Sequence, residues 1–273
     1  MKNISIYCLC LNNELLTKVK HLNYIPVGLG DNNFSNEWLR DSTKINVSKK
    51  NPFYGEYSFH YWLWKNHIHK IENDKWIGFC TYRRFWNQKN QEISKSSFNI
   101  FKDCLQKVPK DWENYETVLA NKIDLTNLKW MKVLKYGKLA LLRNPKAIFK
   151  SGRSIRFHFD MFHGNGVLDK AIELLNKNDR EDFKKFVQTN TSFNQCNLFI
   201  CKSKKIIIKY YETIFLWFEK LEKYFGFDLE GYSKIRVYAF LSERFLPYWF
   251  MKNSKCIEWP ITFKDLNQEL ILK

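Results

Sequence analysis

Short apolar runs alternate along the chain with segments of helical periodicity. The runs at 4–10 and 76–80 are apolar and are followed by polar or turn-forming residues, which is typical of buried strands. Further strands are predicted at 116–120 and 194–200. A strand close to the N-terminus that is followed by helical patterning is usual in α/β nucleotide-binding domains. The pattern therefore predicts an α/β fold.

The clearest helix is predicted to begin at Asn51, with this residue as N-cap and Pro52 in the first helical position. Apolar residues then recur at the spacing of one helix face. The predicted stripe comprises Tyr57, Tyr61, Trp64 and Ile68. His60 and Trp62 are expected to lie off this stripe.

Two further helices are predicted near the C-terminal end of the sequence. Ser203 can cap the first of them. Its predicted buried stripe comprises Ile207, Tyr211, Phe215 and Phe218. The second is predicted from 233 to about 246, where Pro247 should force a stop or a kink.

Length and composition are compatible with one compact domain over residues 1–273. The chain is 45% hydrophobic and 17% aromatic, which is enough to bury a sizeable core. Internal repeats and Gly/Ser linkers are absent from the sequence. No apolar run approaches the ~20 residues that a membrane-spanning helix needs, and the first residues lack the long apolar stretch of a signal peptide.

The seven cysteines are scattered, and none has the spacing of a zinc site. Free, buried thiols in a reducing compartment are therefore expected. This expectation favours a cytoplasmic protein.

Basic residues outnumber acidic ones by 45 to 28, which gives a formal net charge of +17. Such a surface attracts nucleic acid, anionic lipid and nucleotide diphosphates alike. Aromatic and aliphatic residues interleave with a dense basic segment that comprises Lys129, Lys132, Lys135, Lys138, Arg143, Lys146, Lys150, Arg153 and Arg156. This segment, 129–156, is predicted to contact anionic lipid, or nucleic acid under a rival hypothesis, and a solvated face remains the third interpretation.

The strand at 76–80 runs through Thr81 and Tyr82 directly into Arg83 and Arg84. Ligands of open α/β sheets bind beyond the carboxyl ends of strands. Adjacent arginines on an irregular segment can donate bidentate hydrogen bonds to phosphate oxygens. We interpret the two arginines as phosphate ligands; the alternative is an ion pair that closes the end of the strand.

Two other polar groups are candidates for chemistry. His158, Asp160 and His163 follow an H-x-D-x-x-H pattern, which a metal site of two histidines and one carboxylate would fit with weak specificity. In the last predicted helix, Arg236 and Glu243 share one face. The spacing leaves open whether this pair is surface decoration or a functional pair.

Several segments, taken in order and at their rough spacing, match one family pattern. They are residues 25–28, 46–51, 61–66, 77–85, 197–200 and 236–245. Together they resemble a family of bacterial polysaccharide-locus proteins that are labelled capsular or O-antigen glycosyltransferases, some galactofuranosyltransferase-like, and that carry domain of unknown function 4422. The Tyr-Arg-Arg segment and the Ser-Glu-Arg of the last helix are the most specific, whereas Thr81 stands where the family often has histidine.

The resemblance implies a GT-A-like fold, in which helices flank a single nucleotide-binding sheet and the C-terminal portion is helical. It implies a donor-nucleotide half at about 1–125 and an acceptor half at about 126–273. The donor-binding residues that it implies are Gly28, Asn51, Tyr82, Arg83 and Arg84. We expect Asn197, Arg236 and Arg244, which lie in matching segments, to bind the acceptor or support the site, together with His158 from the region 126–165 that resembles the family least.

Enzymes with a GT-A-like fold usually hold the donor diphosphate through a metal ion at an Asp-x-Asp motif, and this sequence contains no such motif. We therefore favour a metal-independent enzyme with no cofactor, with a divalent cation as the alternative, and with Arg83 and Arg84 neutralising the charge that develops on the departing nucleoside diphosphate.

Inverting transfer needs a carboxylate that accepts the proton of the acceptor hydroxyl, and Asp160 and Glu243 are the two catalytic candidates. An ion pair with Arg236 or Arg244 would instead make Glu243 a structural anchor and a poorer base.

The expected function is sugar transfer from a nucleotide sugar, with UDP-galactofuranose as one candidate, to a surface-polysaccharide or lipid-linked glycan. The expected location is the cytoplasm or the inner face of the cytoplasmic membrane. A basic nucleic-acid-binding protein is one alternative, although no RNP, KH, zinc-finger or helix-turn-helix signature appears. A non-catalytic scaffold of a polysaccharide assembly complex is the other.

Overall fold

The structure is a computed structural model that describes residues 4–268. Contacts divide the chain into two compact units. Unit 1 comprises Met1–Asn121, Leu198–Tyr211 and Asn253–Lys273, and unit 2 comprises Lys122–Asn197 and Glu212–Lys252. A division of donor and acceptor roles at about residue 125 stays a prediction.

Unit 1 is built on a mixed β-sheet. Within residues 4–268 its strands are β1 (Ile4–Cys10), β2 (Ile25–Gly28), β3 (Leu39–Arg40), β4 (Trp76–Thr81), β5 (Arg84–Trp86), β6 (Thr117–Ala120), β9 (Phe199–Cys201), β10 (Cys256–Trp259) and β11 (Ile261–Phe263). Its helices are α1 (Leu16–His21), α2 (Asn51–Tyr54), α3 (Tyr57–Asn66) and α4 (Ile100–Asp103).

Unit 2 is mainly helical. It contains the hairpin of β7 (Lys122–Asp124) and β8 (Ser192–Asn194). Its helices are α5 (Trp130–Tyr136), α6 (Lys138–Arg143), α7 (Ile155–His163), α8 (Val167–Glu173), α9 (Lys177–Thr189), α11 (Tyr232–Ile235) and most of α12 (Val237–Asn253). Helix α10 (Lys204–Phe225) includes residues of both units.

The main sheet has the order β10-β6-β9-β4-β1-β2-β3, and β5 and β11 extend it beside β4. Parallel pairs join β1 to β2 and β4, β2 to β3, and β6 to β10, whereas β9 runs antiparallel to both β4 and β6. Strands β1 and β4 are almost continuously buried, as expected of parallel strands that are covered on both faces. The strands predicted at 4–10, 76–80 and 116–120 are confirmed, and so is the α/β fold.

The helix predicted from Asn51 is interrupted. Helix α2 ends at Tyr54. The next residue, Gly55, adopts a φ of +58°, and α3 begins at Tyr57. Asn51 already lies inside the first turn of α2, so the N-cap assignment is wrong. The predicted stripe is also wrong in part, because His60 and Trp62 are buried. The buried face of α3 is rotated toward the sheet, where the imidazole of His60 lies 4.4 Å from the ring of Phe79.

The last helix has other bounds than predicted, because α11 ends at Ile235 and α12 begins only at Val237. All four residues of the stripe predicted for α10 are buried, which confirms it. Helix α12 continues through Pro247 to Asn253, so of the predicted stop or kink the stop is wrong; the proline lacks the N–H that would donate to the carbonyl of Glu243. The strand predicted at 194–200 is two strands, because a turn at Cys196, with φ +65°, separates β8 from β9.

Aromatic packing forms much of the interior of unit 2. The ring of Phe183 lies 5.2 Å from that of Phe245 and 6.3 Å from that of Trp217, whose indole N–H donates to the carbonyl of Ala171. All seven cysteines are free thiols, as predicted. Within the described part of the chain, no helix is both long and apolar enough to cross a membrane.

Candidate functional site

The carboxyl ends of β1, β2 and β4 meet at one edge of the sheet because these three strands are parallel. The N–H of Leu29, just after β2, donates to the carbonyl of Cys10 at 3.0 Å. The N–H of Tyr82, just after β4, donates to the carbonyl of Leu9 at 3.1 Å. The two connecting segments therefore start on either side of the end of β1, at the edge where α/β sheets bind ligands.

Arg83 and Arg84 lie in the hairpin that joins β4 to β5. Thr81 is opposite Arg84, so Tyr82 and Arg83 form a two-residue turn. The turn is held from the β11 side, where the N–H groups of Lys264 and Leu266 donate to the carbonyls of Arg83 and Tyr82, both at 3.0 Å. Backbone hydrogen bonds therefore hold the main chain of the turn from which the Arg83 and Arg84 side chains project.

The two guanidinium groups have aromatic neighbours. Arg83 is exposed and its guanidinium carbon lies 4.9 Å from the ring centroid of Tyr82, while Arg84 is half-buried and 5.6 Å from that of Phe263. Among residues 4–268, no carboxylate forms an ion pair with either arginine. The ion pair considered as an alternative is therefore not found in the part of the chain that the structure describes. Stacked guanidinium groups keep their N–H donors available to an anion.

The segment after β2 is shaped by two glycines. A Cβ on Gly28 would lie 2.5 Å from ring atoms of Phe34, so no larger residue fits without movement. Gly30 adopts a φ of +71°, a backbone conformation that residues with a Cβ rarely adopt. Its N–H donates to Oδ1 of Asp41 at 2.9 Å. Gly28 therefore has a packing role, and its predicted contact with a donor remains a prediction.

Asp41 is the centre of a buried polar network that the sequence did not reveal. Its second carboxylate oxygen accepts a hydrogen bond from the Ser58 hydroxyl. The side-chain amide of Asn51 donates to that hydroxyl at 2.8 Å and to the carbonyl of Gly55 at 2.9 Å. Burial raises the pKa of Asp41 to about 6. Asn51, predicted to bind the donor, thus holds the network that fixes Gly30.

In unit 2, four of the predicted site residues lie in or beside one cluster: His158, Asn197, Glu243 and Arg244. Arg244 is 1% exposed and donates to the carboxylate of Glu243, which retains 20% of its side-chain exposure. The guanidinium group lies 3.3 Å from Nδ1 of His158 and 3.5 Å from Nε2 of His163. Glu243 also accepts the backbone N–H of Cys196 at 2.7 Å. One carboxylate is thereby held in place from two directions.

Both imidazoles of this cluster are neutral at physiological pH. Burial, followed by the charge of Arg244, lowers the pKa of His163 to about 3 and that of His158 well below its ordinary value. The ring of His163 also stacks on Phe240 at 3.8 Å between centroids. Nδ1 of His163 and Nε of Arg244 have no hydrogen-bond partner among the described residues. Glu243 is thus the group that balances the buried cation, and the ion pair with Arg244 that the structural-anchor alternative requires is present.

Asn197 anchors the chain next to this cluster. Its side-chain amide donates to the carbonyl of Ala239 at 3.0 Å, and its oxygen accepts from the Ser242 hydroxyl at 3.2 Å. Both contacts are to α12, so Asn197 holds the Cys196 turn against the helix that carries Glu243. Its predicted supporting role has this geometric basis.

Asp160 lies on the same helix as His158 but serves another part of the unit. Its carboxylate accepts the N–H of Gly166 at 2.9 Å and the side-chain amide of Asn144 at 3.1 Å. Burial raises its pKa. The interpretation of His158, Asp160 and His163 as a metal site is wrong, because the histidines face Arg244 and the aspartate does not. No group of three or more candidate metal ligands occurs within residues 4–268.

Arg236 lies between α11 and α12, and its carbonyl accepts the N–H of Phe240 at 3.0 Å. Arg236 is half-buried, and its guanidinium carbon lies 5.8 Å from the ring centroid of Tyr232. Among residues 4–268 no ion pair joins Arg236 to Glu243, whose arginine partner is Arg244.

The chain is similar to known proteins in sequence and in fold. The sequence pattern of a family described as Domain of unknown function (DUF4422) matches residues 6–254. The fold is similar to the apo structure of WbbM, a bifunctional glycosyltransferase, with a TM-score of 0.67 and 20% sequence identity over 96% of this chain. The chain covers 45% of the WbbM chain, less than half of its length. No curated protein gives a match. The GT-A-like fold expected from the resemblance is confirmed.

Proposed function

The chain belongs to the DUF4422 family, and we propose that it is a glycosyltransferase, which moves a sugar from a nucleotide-sugar donor to a glycan acceptor. The acceptor is a growing surface polysaccharide or a lipid-linked glycan, and UDP-galactofuranose is the first donor to test. The reaction takes place on the cytoplasmic side of the membrane, which is consistent with seven free thiols.

The observation that carries this proposal is the pair Arg83 and Arg84. Two adjacent cations leave the sheet beside the ends of three parallel strands, and neither has a carboxylate partner among residues 4–268. A nucleoside diphosphate matches this arrangement, because guanidinium groups bind phosphate oxygens with two parallel hydrogen bonds.

The arginines also supply the electrostatic part of the reaction. When the bond between sugar and diphosphate breaks, negative charge grows on the leaving phosphate. Preorganised cations stabilise that charge more in the transition state than in the ground state. We propose that Arg83 and Arg84 take the place of the metal ion that an Asp-x-Asp motif would bind, a motif that the sequence lacks.

Glu243 is the proposed base for an inverting transfer. Its carboxylate is partly exposed and oriented by the Cys196 N–H at Oε1 and by Arg244 at Oε2, and each oxygen keeps a second lone pair that can receive the proton of an acceptor hydroxyl. Asp160 is a weaker candidate, because its side chain is fully buried whereas that of Glu243 is 20% exposed, and its oxygens accept the hydrogen bonds of Asn144 and Gly166.

Donor binding tests the proposal most directly. Thermal shifts against UDP-, GDP-, CMP- and TDP-sugars identify the donor, since a ligand that binds the folded state raises its apparent stability. Arg83→Ala and Arg84→Ala should each weaken binding of that donor about 10- to 100-fold, the loss of a charge-assisted hydrogen bond. Lys110→Ala, which removes an exposed cation elsewhere in unit 1, serves as the control.

Two results would overturn the proposal. Unchanged donor affinity in both arginine variants would remove the phosphate site, and complete loss of turnover in EDTA would remove metal independence. Salt-sensitive RNA binding that ignores sugar nucleotides would favour the nucleic-acid alternative. Donor binding without transfer to any glycan acceptor would favour the scaffold.

A further inference from the structure

One surface of unit 2 exposes large apolar side chains to solvent. It is formed by α5, α6 and the 3-10 turns Pro145–Ile148 and Lys150–Gly152, and it is called the basic apolar face below. Its exposed apolar residues are Trp130, Met131, Leu134, Tyr136, Leu139, Leu142, Ile148 and Phe149. Met131, Leu142 and Phe149 retain 77%, 79% and 70% of their exposure, which is unusual for so many neighbouring residues.

Small residues attach this face to the rest of the unit. Val133, Ala140 and Ala147 are buried in a cluster with Phe157 and Met161 of α7. Gly137 is also buried, and a Cβ there would lie 2.7 Å from the Val133 carbonyl. The larger apolar side chains of α5 and α6 therefore lie away from the core, where water covers them at a cost of roughly 25 cal/mol per Å2.

The same surface is strongly cationic. No acidic residue occurs from 125 to 159. The three arginines of the predicted basic segment 129–156 are engaged within the protein. Arg153 is buried and donates to two carbonyls, and Arg143 and Arg156 pair with Asp169. The remaining six lysines are exposed and lack an ion-pair partner among residues 4–268: Lys129, Lys132, Lys135, Lys138, Lys146 and Lys150.

We propose that the basic apolar face docks on the surface of an anionic phospholipid bilayer. Lysines in the headgroup layer complement the negative surface potential, and Trp130, Leu139, Leu142 and Phe149 enter the boundary between headgroups and acyl chains. This docking does not depend on the proposed sugar transfer; if both hold, it brings the enzyme to the surface where a lipid-linked acceptor lies.

Two other occupants fit this surface less well. A nucleic acid would neutralise the lysines but would leave the aliphatic side chains in water, because phosphates offer them no apolar contact. A second copy of the chain, joined face to face about a two-fold axis, would bring six lysines against six lysines. An anionic bilayer satisfies the charge and the apolar area together.

Vesicle flotation with the full chain tests the proposal. The protein should float with vesicles of phosphatidylglycerol and phosphatidylcholine, bind pure phosphatidylcholine much more weakly, and lose affinity as salt rises. Lys132→Ser, Lys135→Ser and Lys146→Ser together should weaken binding about 100-fold, at roughly fivefold for each lysine near the membrane surface.

The apolar contribution needs its own variant. Met131→Ser, Leu139→Ser, Leu142→Ser and Phe149→Ser together should weaken binding at least about tenfold with no change in net charge. The matched control, Lys184→Ser, Lys185→Ser and Leu216→Ser, removes exposed cations and an exposed apolar residue elsewhere in unit 2 and should bind as the wild type does. Unchanged circular dichroism spectra and thermal unfolding midpoints in all variants show that each is folded.

Equal flotation of the wild type and the apolar variant would overturn the proposal, as would equal binding to neutral and anionic vesicles. It would also be overturned by a lipid-free dimer in light scattering that the same substitutions abolish. RNA that binds the wild type and the apolar variant equally, and that vesicles do not displace from either protein, would overturn it as well.

Discussion

Replacing Asp41 with asparagine should change how the stability of the protein depends on pH. Burial raises the pKa of this carboxyl group from 3.8 to about 6, although the hydrogen bonds from Ser58 and from the Gly30 N–H act in the opposite direction. A group with a raised pKa holds its proton more tightly in the folded state than in the unfolded state. The free energy of unfolding therefore falls as the pH rises from about 4 to about 6.

The two pKa values differ by about two units, which corresponds to roughly 3 kcal/mol at 1.36 kcal/mol per unit. Linkage places roughly 2 kcal/mol of this loss between about pH 4.5 and 7.5. Asparagine keeps the size of the side chain and one oxygen acceptor but has no proton to lose. Relative to the wild type, Asp41→Asn should therefore gain about 2 kcal/mol across this pH range, whatever constant cost the lost hydrogen bond adds.

Urea unfolding at a series of pH values, followed by tryptophan fluorescence, measures this difference. Ser58→Ala is a second variant, because loss of the Ser58 hydrogen bond raises the pKa of Asp41 further and should steepen the pH dependence. If the stability curves of the wild type and Asp41→Asn run parallel from about pH 4.5 to 7.5, Asp41 does not titrate as a buried group and the reasoning fails.

Three further outcomes follow from the site geometry. Glu243→Gln should lower kcat by about 10²- to 10⁴-fold in a sugar-transfer assay, the usual contribution of a general base. Asp160→Asn should keep near-normal turnover but lose about 1–3 kcal/mol of stability in urea, because the Gly166 N–H loses a charged acceptor; normal rates in both variants would remove both residues from the base assignment. Gly28→Ala should cost about 1–3 kcal/mol through its clash with Phe34, and a smaller residue at 34 should restore part of the loss.

The strands of the main sheet could be predicted because burial on both faces leaves a direct trace. The segment Ile4–Cys10 is apolar at nearly every position, and its structural bounds equal the predicted ones. The break in the helix after Tyr54 could not be predicted with equal ease. An isolated glycine is tolerated inside a helix at a cost of about 1 kcal/mol of stability relative to alanine, so Gly55 alone does not mark a break, and only its φ of +58° reveals the turn.

The candidate site was predictable to the extent that its residues are neighbours in sequence. Glu243 and Arg244 are adjacent, and the Arg83–Arg84 pair follows a clear strand, so sequence alone indicated both. The Asp41 network was missed, because Asp41 and Ser58 are 17 positions apart and only the tertiary fold joins them. A lone aspartate after a two-residue strand carries no periodic signal that would mark it as buried.

The order in which the sheet strands leave the ribosome has a consequence for folding. Strand β6 at 117–120 pairs with β9 and with β10, which lie about 80 and 140 positions later in the sequence. Nascent β6 therefore keeps its backbone groups unpaired until β9 and then β10 have been made, and such long-range pairing is slow. A chain that stops before residue 256 would keep one edge of β6 open, and an open apolar edge is a template for aggregation. Synthesis of β10 is thus the step that covers this edge of β6.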